Sequence, residues 1–468
     1  MKRPLSAITL LTLSGIVLIV LYGVALWLNN LRINTIPFEL VFFTAFAVYG
    51  LAVWWVLQDR APVHSRLMIL IFGFAIFFRA VLVFSQPTLS DDMYRYIWDG
   101  RVQAHHINPY SYAPAAPQLA GLRDESIWPE INRKAVVTVY PAGAELAFAA
   151  IWRIWPDSVH FFQLVMVFGD LMAAVLLFFL LRATGRPTSA VLIYLWNPLV
   201  IFEIASSAHV DGLVLPFLLG AWLARIKGRD FLTGLLLGLA ASLKLYPLLL
   251  LPVLWRWKDE RGRFRPAWSM PLAFLIGFGI TYLPYLSIGG SVVGFLPGYL
   301  NEQFNFMLSG PIFLWAVSHA LAPELVVDGF MAAVLLIIYL FFLFHPAANA
   351  ETALRRCIWP VGAFTLLTTN LFPWYMLWLV PLLAIFLPRR ASDESRKDFG
   401  RRLLRTSWSG WWLFCGLVGL AYNYYIHWAT DLVAIYAQFI PLYEFLLIDL
   451  GRWLLKIIPR RLYRRRTA

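Results

Sequence analysis

The sequence predicts an all-α polytopic membrane protein, and three observations predict it. Of its 468 residues, 60% are hydrophobic and only 14% are charged, against roughly 25% charged in soluble domains. Apolar runs recur that approach the ~20 residues a helix needs to cross a bilayer. The basic residues are gathered between those runs. Eight clusters, at Lys2–Arg3, Arg60–Arg66, Arg182–Arg186, Arg225–Arg229, Arg256–Arg265, Arg355–Arg356, Arg389–Arg405 and Arg452–Arg466, hold 30 of the 39 Lys and Arg residues. Placed together on the cytoplasmic side they satisfy the positive-inside rule. The net charge of +13 then reads as a topology signal and as contacts to anionic membrane lipids, with no nucleic-acid partner. An aromatic content of 16% suits interfacial belts of Trp and Tyr. The two cysteines, Cys357 and Cys415, give neither a metal-ligand spacing nor a disulfide framework.

Taken in order, Ala7–Leu28 reads as a first span. It is too long for a signal peptide, and no small-x-small cleavage site follows it. Spans two and three are expected at about 36–57 and 67–84, with Arg79 inside the third. With the N-terminus inside, the chain emerges outside at Ser85 and opens an extracytoplasmic loop over residues 85–160. Its Ser90–Tyr110 stretch packs Asp91, Asp92, Asp99, Arg95, Arg101, His105 and His106 beside the membrane. Acid, base and cation together suit a reaction on a charged, lipid-anchored substrate. Pro109, Pro114, Pro117 and Pro129 then break regular structure as far as about Thr138. Ala142–Trp155 follows Tyr140-Pro141 and carries Glu145 and Arg153; it is too short to cross and reads as an interfacial amphipathic helix.

Span four is expected at 161–181. Span five, about 188–205, contains Asn197-Pro198 and Glu203 and exits at Ser206–Asp211; span six is about 212–224. Phe231–Trp255 has basic flanks on both sides, so it begins and ends inside, as two short helices meeting near Lys244. Further spans are expected at 268–287, 327–344, 357–372, 374–388, 409–426 and 430–449. A second outer region between Gly289 and Pro323 holds Glu302 and Asn305, and Asn370–Tyr375 forms an outer turn. The polar 389–407 segment is expected to be a flexible cytoplasmic loop, and 450–468 a basic cytoplasmic tail. With no internal repeat and no soluble stretch, residues 1–468 form one integral membrane domain.

This topology brings every polar motif to the outer side. An ionisable residue at membrane depth is costly, so Lys244 and Arg79 attract functional hypotheses. Each motif also has a structural reading. Asp91 or Asp92 can cap a helix that begins at Met93, and Asp99 can pair with Arg95 or Arg101. Lys244 can snorkel, Asp211 can cap span six, and Trp374 and Tyr375 can belong to an aromatic belt. His105 and His106 suit a solvated loop better than a metal site.

The motifs D-D-x-Y-R-Y-x-W-D-G-R-V-Q-A (91–104), I-N-P-Y (107–110) and V-Y-P (139–141) resemble those of the C-type glycosyltransferase superfamily, GT-C. The likeness is to bacterial membrane mannosyltransferase-like proteins and to GPI mannosyltransferases. Weaker echoes follow in Asn197-Pro198 with His209-x-Asp211, in Leu243–Pro247 and in Phe372–Tyr375, so that the resemblance covers residue 85 to about 388. There are two departures: the acidic motif follows a third span where many relatives have it after the first, and Ala142 stands where a second proline is common.

The resemblance implies a bundle of roughly 12–14 transmembrane helices with a large first catalytic loop. It implies inverting transfer of a hexose, mannose above all, from a polyprenyl-phosphate donor to a lipid or glycan acceptor. The setting is the outer face of the bacterial inner membrane. A hydroxyl attacking an anomeric carbon needs a general base, supplied by Asp91 or Asp92, with Asp91 preferred. A leaving phosphate is met by cations, here Lys244, Arg95 and Arg101. Tyr94, Asn108, Tyr110, His209, Asp211, Asn305, Trp374 and Tyr375 are expected to contact substrate. No cofactor and no metal are assigned, although Asp91-Asp92 could bind a divalent cation. The alternatives left open are a transporter or flippase of lipid-linked sugars, and an envelope-lipid modifying transferase of the same fold.

Overall fold

A computed structural model describes residues 7–58, 65–258, 261–298, 324–368, 371–422 and 432–457. Among these residues there is no strand, only an isolated bridge between Lys258 and Phe264. Helices α1 (Ala7–Leu28), α2 (Thr35–Gln58) and α3 (Ser65–Leu82) lie where the apolar runs predict spans, and α1 packs on both of the others. Among the described residues, six helices are long and apolar enough to cross a membrane, or seven if the bent pair Thr188–Leu195 and Pro198–Ser206 is one span. The other expected crossings among the described residues fall on shorter or interrupted helices, such as Asp230–Leu243 and Pro373–Phe386.

The two ends of the bundle differ in chemistry. Helix α2 has 24 residues and at ~1.5 Å rise per residue spans about 36 Å. Just before its start, Leu31 donates its N–H to Thr88 Oγ1 (2.9 Å) and Arg32 lies 4.0 Å from Asp91. At its far end, Arg389 and Arg390 donate to the carbonyls of Val56 and Leu57 (2.8 and 3.0 Å). Arg186, which pairs with Glu351 at 2.8 Å and donates to the Ile385 carbonyl, belongs to the same end. The basic clusters at Arg186 and Arg389–Arg405 thus gather opposite the acidic loop. The 389–407 segment is not the flexible loop expected from its polarity. It contains the helix Arg396–Leu403, capped by Ser395 Oγ at Asp398 N (3.1 Å), with Phe399 buried and stacked on Trp54. One apolar residue on an otherwise polar helix is enough to dock it.

The acidic end carries α4 (Asp92–Ala104) and α5 (Ala142–Ile154), packed against each other. Tyr96 stacks on Phe148 (4.4 Å between centroids), and Gln103 donates to the Glu145 backbone carbonyl at 2.9 Å. Asp99 and Glu145 are buried between them. Burial pushes both carboxyls up, with Arg95 opposing the rise in Asp99 and the facing Asp99 charge adding to the rise in Glu145. Close approach locks α5 to the bundle: a Cβ on Gly143 would lie 2.2 Å from Ser242 Oγ. The loop is also tied to the later chain, because Phe295 N donates to the Thr138 carbonyl (2.9 Å).

Helix α6 (Val159–Ala183) runs uninterrupted, capped by Ser158. The next span is broken into α7 (Leu192–Leu195) and α8 (Pro198–Ile201), followed by a π turn at Phe202–Ser206, with a 58° bend. Pro198 starts α8, and Leu199 N bonds Asn197 Oδ1 (3.0 Å) in place of the Leu195 carbonyl, which in a membrane needs another partner. Arg79 supplies one. Its Nη1 donates to Leu195 O (2.9 Å) while its Nε meets Asp170, which also takes the Tyr194 hydroxyl. Tyr49 and Trp196 add bonds to the carbonyls of Ile193 and Ile71 (2.6 and 2.9 Å). Arg79 is therefore a fully buried structural cation. Helix α9 (Asp211–Ile226) follows, then α10 (Asp230–Leu243), which ends as predicted at Lys244, whose backbone is extended (φ −157°, ψ 134°). After the 3-10 stretch Tyr246–Leu250 and the short α11 (Leu251–Leu254) comes α12 (Ser269–Gly279), packed on α10 so closely that a Cβ on Gly234 would lie 1.9 Å from Met270 O.

The two chemically distinct ends predict opposite exposure across the membrane. Cys357 and Cys415 are buried, and Ser111 and Ser395 are exposed at opposite ends. A membrane-impermeant maleimide applied to intact cells should label Ser111→Cys and leave Ser395→Cys unlabelled until the membrane is opened. Labelling of both from one side would contradict this topology.

Candidate active site

A cavity of about 480 Å3 opens at the acidic end, within the range that small-molecule sites occupy. One wall is α4. Asp92, Arg95, Tyr96 and Asp99 fall on one face of this helix, by the 100° turn per residue, and the first three line the cavity together with Asp91. Lys244 lines it too, with Phe372, Trp374 and Tyr375; Val136, Val137, Val139 and Phe295 supply apolar surface.

Asp91 precedes α4 but does not cap it through its side chain, contrary to the capping role predicted for one of the two aspartates; its φ and ψ of −99° and 3° are not those of a capping residue. Ser90 Oγ accepts from Asp92 N instead (3.3 Å). Both carboxylates are drawn to the Asn132 amide, at 3.2 Å from Asp91 and 2.8 Å from Asp92. Asp91 is 35% exposed and faces Arg32; Asp92 is 23% exposed and faces His209. Burial pushes the Asp92 carboxyl above its ordinary range, as does neighbouring Asp91, and His209 and Lys244 pull the other way. Among the described residues no three His, Cys, Asp or Glu side chains gather to hold a metal ion.

Lys244 sits at a helix break and donates to Asp211 Oδ2 at 2.6 Å. An ammonium has three N–H groups, so this bond leaves donors for the cavity, onto which the side chain is 22% exposed. Its Nζ also lies 5.4 Å from the ring centres of both Tyr375 and Trp378. Asp211 is fully buried, and its other oxygen takes the Trp378 indole N–H (2.7 Å). Trp374 stacks on His209 at 4.1 Å. The His209-x-Asp211 motif therefore divides: the aspartate serves Lys244 and the histidine faces Asp92.

The other predicted residues lie elsewhere. Arg95 reaches the cavity but is held by Asp99, with Nε 2.9 Å from both carboxylate oxygens. Arg101 comes nine positions after Asp92, half a turn round the helix. It is bound by Asp124 and Asp157 (2.9 and 2.7 Å) and does not line the cavity. Tyr94 is half-buried outside the cavity lining. Asn108 and Tyr110 shape the loop: Asn108 Oδ1 accepts from Tyr110 N (3.0 Å), and the Tyr110 hydroxyl donates to Tyr140 O (2.8 Å). Asn305 lies outside the described residues. His105 and His106 are exposed, as expected of a solvated loop. Arg32, Tyr96, Asn132 and Phe372 join the cavity without having been singled out in the sequence. Tyr96, one turn after Asp92, and Phe372, at the start of the Phe372–Tyr375 motif, carried a signal.

Residues 7–258 match the family described as alpha-(1->6)-mannopyranosyltransferase, N-terminal domain. Over 296 residues the chain is 25% identical to GPI mannosyltransferase 1 of Eremothecium gossypii, a match covering 58% of this chain and 71% of that protein.

The Lys244–Asp211 pair carries a stability prediction. Lys244→Met leaves a buried carboxylate without its cation, a change that costs about 3–5 kcal/mol. Lys244→Met/Asp211→Asn removes the orphaned charge and should recover most of that loss. Thermal unfolding in detergent measures both, and equal melting temperatures for the single and double variants would contradict the pairing.

Proposed function

We propose that this chain, which belongs to the alpha-(1->6)-mannopyranosyltransferase family, moves mannose from a polyprenyl-phosphate donor to a hydroxyl of a lipid or glycan acceptor. Family membership makes it a mannosyl-transferring enzyme embedded in a membrane, which displaces the transporter alternative. The donor, the side of the membrane and the residue roles rest on the cavity. The single observation that supports them is one space lined by both Asp92 and Lys244, with Tyr375 beside the ammonium. It lies at the bundle end away from the Arg389–Arg405 loop, which suits work on the outer face of a bacterial inner membrane.

The acceptor hydroxyl gives its proton to Asp92 as its oxygen bonds to C1 of the mannose. The bond from C1 to the phosphate oxygen breaks, and its electron pair leaves on the phosphate. Inversion at C1 requires base and phosphate on opposite faces of the sugar, and Asp92 and Lys244 both line the cavity that would hold it. The family's description, alpha-(1->6)-, supports a primary 6-hydroxyl as the acceptor group. Lys244 meets the developing phosphate charge through its remaining N–H groups. Arg95 contributes positive charge beside it, tempered by Asp99. The valines, Phe295 and Phe372 offer apolar surface to the first prenyl units, and Trp374 offers a ring face to the sugar. Asp92 suits the base better than Asp91. It is the less exposed of the two, and burial raises its carboxyl toward the pH at which a base works best. Asp91 is the acceptor-side partner of Arg32 and Asn132.

Turnover of the purified protein in lipid with polyprenyl-phosphate mannose tests these roles. Asp92→Asn should lose roughly 10²–10⁴-fold, and Asp91→Asn less than about tenfold, the scale of one ordinary hydrogen bond. Lys244→Arg should retain far more activity than Lys244→Met/Asp211→Asn, in which a charge-assisted contact of about 1.5–3 kcal/mol is gone. Near-normal turnover by Asp92→Asn would end its assignment as base. Turnover with a nucleotide-linked mannose alone would end the polyprenyl-phosphate reading.

A further inference from the structure

We propose that Glu145 is a positioning residue for the transfer, kept as a neutral carboxylic acid beside the Arg95–Asp99 ion pair so that this cluster turns no net negative charge toward the donor phosphate. The inference rests on the polyprenyl-phosphate reading above. Arg95 is the link, because it lines the cavity with Asp92. Its Nε lies 2.9 Å from each oxygen of Asp99, and Glu145 comes to the same place from α5. All three side chains are buried: Arg95 is 3%, Asp99 2% and Glu145 0% exposed. Two carboxyls and one guanidinium thus share a space shielded from water. The guanidinium stays protonated, and a second carboxylate without a cation is costly at that depth. One carboxyl therefore holds a proton.

The contacts identify which one. Both oxygens of Asp99 face a cation, which favours its ionised form. The partners of Glu145 are neutral. Thr138 Oγ1 lies 2.6 Å from Oε1, and Gln103 Nε2 donates to Oε2 at 2.9 Å. The Gln103 amide is fixed in this orientation, since Nε2 also donates to the carbonyls of Asp99 and Glu145 (3.2 and 2.9 Å) and its Oε1 takes the Tyr285 hydroxyl (2.6 Å). Oε2 of Glu145 is then an acceptor, and the proton belongs on Oε1, beside the Thr138 hydroxyl. Burial raises the Glu145 carboxyl well above its ordinary range and the Asp99 charge adds to the rise, in line with this geometry.

The groups facing Glu145 are Arg95, Asp99 and Gln103 of α4, Thr138 and Tyr110 of the loop, and Tyr285 of the later stretch Ile280–Val293, with Arg153 further along α5 near Tyr285. Helix α10 presents Ser242 to α5. With Glu145 neutral, Arg95 and Asp99 balance and the donor phosphate is left to Lys244. As pH rises through the Glu145 pKa the carboxyl ionises and the cluster becomes net negative. The phosphate is then repelled, so donor KM rises with pH.

The experiment is the pH dependence of donor KM for wild type and Glu145→Gln in lipid, with polyprenyl-phosphate mannose as donor. Gln keeps the shape of the acid and cannot ionise. The ratio of the two KM values removes groups, such as Lys244, that titrate in both proteins. From neutral to alkaline pH the ratio of wild type to variant should climb on the order of tenfold, the scale of one charge acting at about 10 Å near a protein surface. A ratio that stays flat, at any value, overturns the proposal. Should Glu145→Gln not purify in folded form, infrared spectra of wild type and Asp92→Asn carry the test. The carbonyl band of a protonated carboxylic acid should be present at neutral pH in both, and should fade over the pH range in which the wild-type donor KM rises. No such band, or one whose fading is not matched by a rise in KM, overturns the proposal equally. Failure of the wild type to use polyprenyl-phosphate mannose at all would instead overturn the donor reading, which separates the two failures.

Discussion

One buried carboxylate, that of Asp211, sets the relative positions of the cavity's parts. It stands at the first turn of α9, takes the Lys244 ammonium from the end of α10, and takes the Trp378 indole from the stretch Pro373–Trp378. Three stretches far apart in sequence are thereby brought to one point. Both oxygens are engaged, so the charge is neutralised and hydrogen-bonded, the condition under which a buried ion is tolerated. The ammonium meanwhile keeps an open side toward the cavity. The cavity thus holds a cation without leaving an uncompensated charge behind it.

The same economy governs the broken helices. Lys244 needs an extended residue between two short helices, and Phe202–Ser206, ahead of His209, is wound wider than an α-helix. Each departure frees backbone groups that the lipid phase cannot satisfy. The Arg79–Asp170–Tyr194 cluster, buried throughout, answers this for the span containing Pro198. A buried ion pair is a poor source of net stability. Its use here is positional: it holds the Leu195 carbonyl and so fixes the direction from which His209 approaches the site.

Much of the fold was legible because its causes are local. Run length located α1 to α3, and basic flanks on both sides of Phe231–Trp255 required a break near Lys244. The short apolar stretch after Tyr140-Pro141 pointed to a helix, and α5 stands there. The site was legible where residues share a helix face or a motif, as Asp91, Asp92 and Arg95 do. It was not legible where partners come from distant loops. Asn132 and Arg32 sit in stretches with no pattern of their own, and only the fold brings them to the two aspartates. Arg101 was misplaced because charge was weighed without helix phase, and half a turn carries it to Asp124 and Asp157. The 389–407 segment misled for the opposite reason: composition spoke for disorder, while Phe399 found a socket against Trp54.

The contact between Gly143 and Ser242 has a mechanical meaning. Ser242 lies two residues before Lys244, and no side chain stands between it and the α5 backbone to absorb displacement. Protein interiors resist compression, so a force that tilts α5 passes into the end of α10 nearly undiminished. Helix α5 is amphipathic, with Ile154 and Trp155 exposed at its end, and such helices respond to bilayer thickness and curvature. A displacement of α5 is therefore felt two residues from Lys244, with no flexible side chain between to take it up.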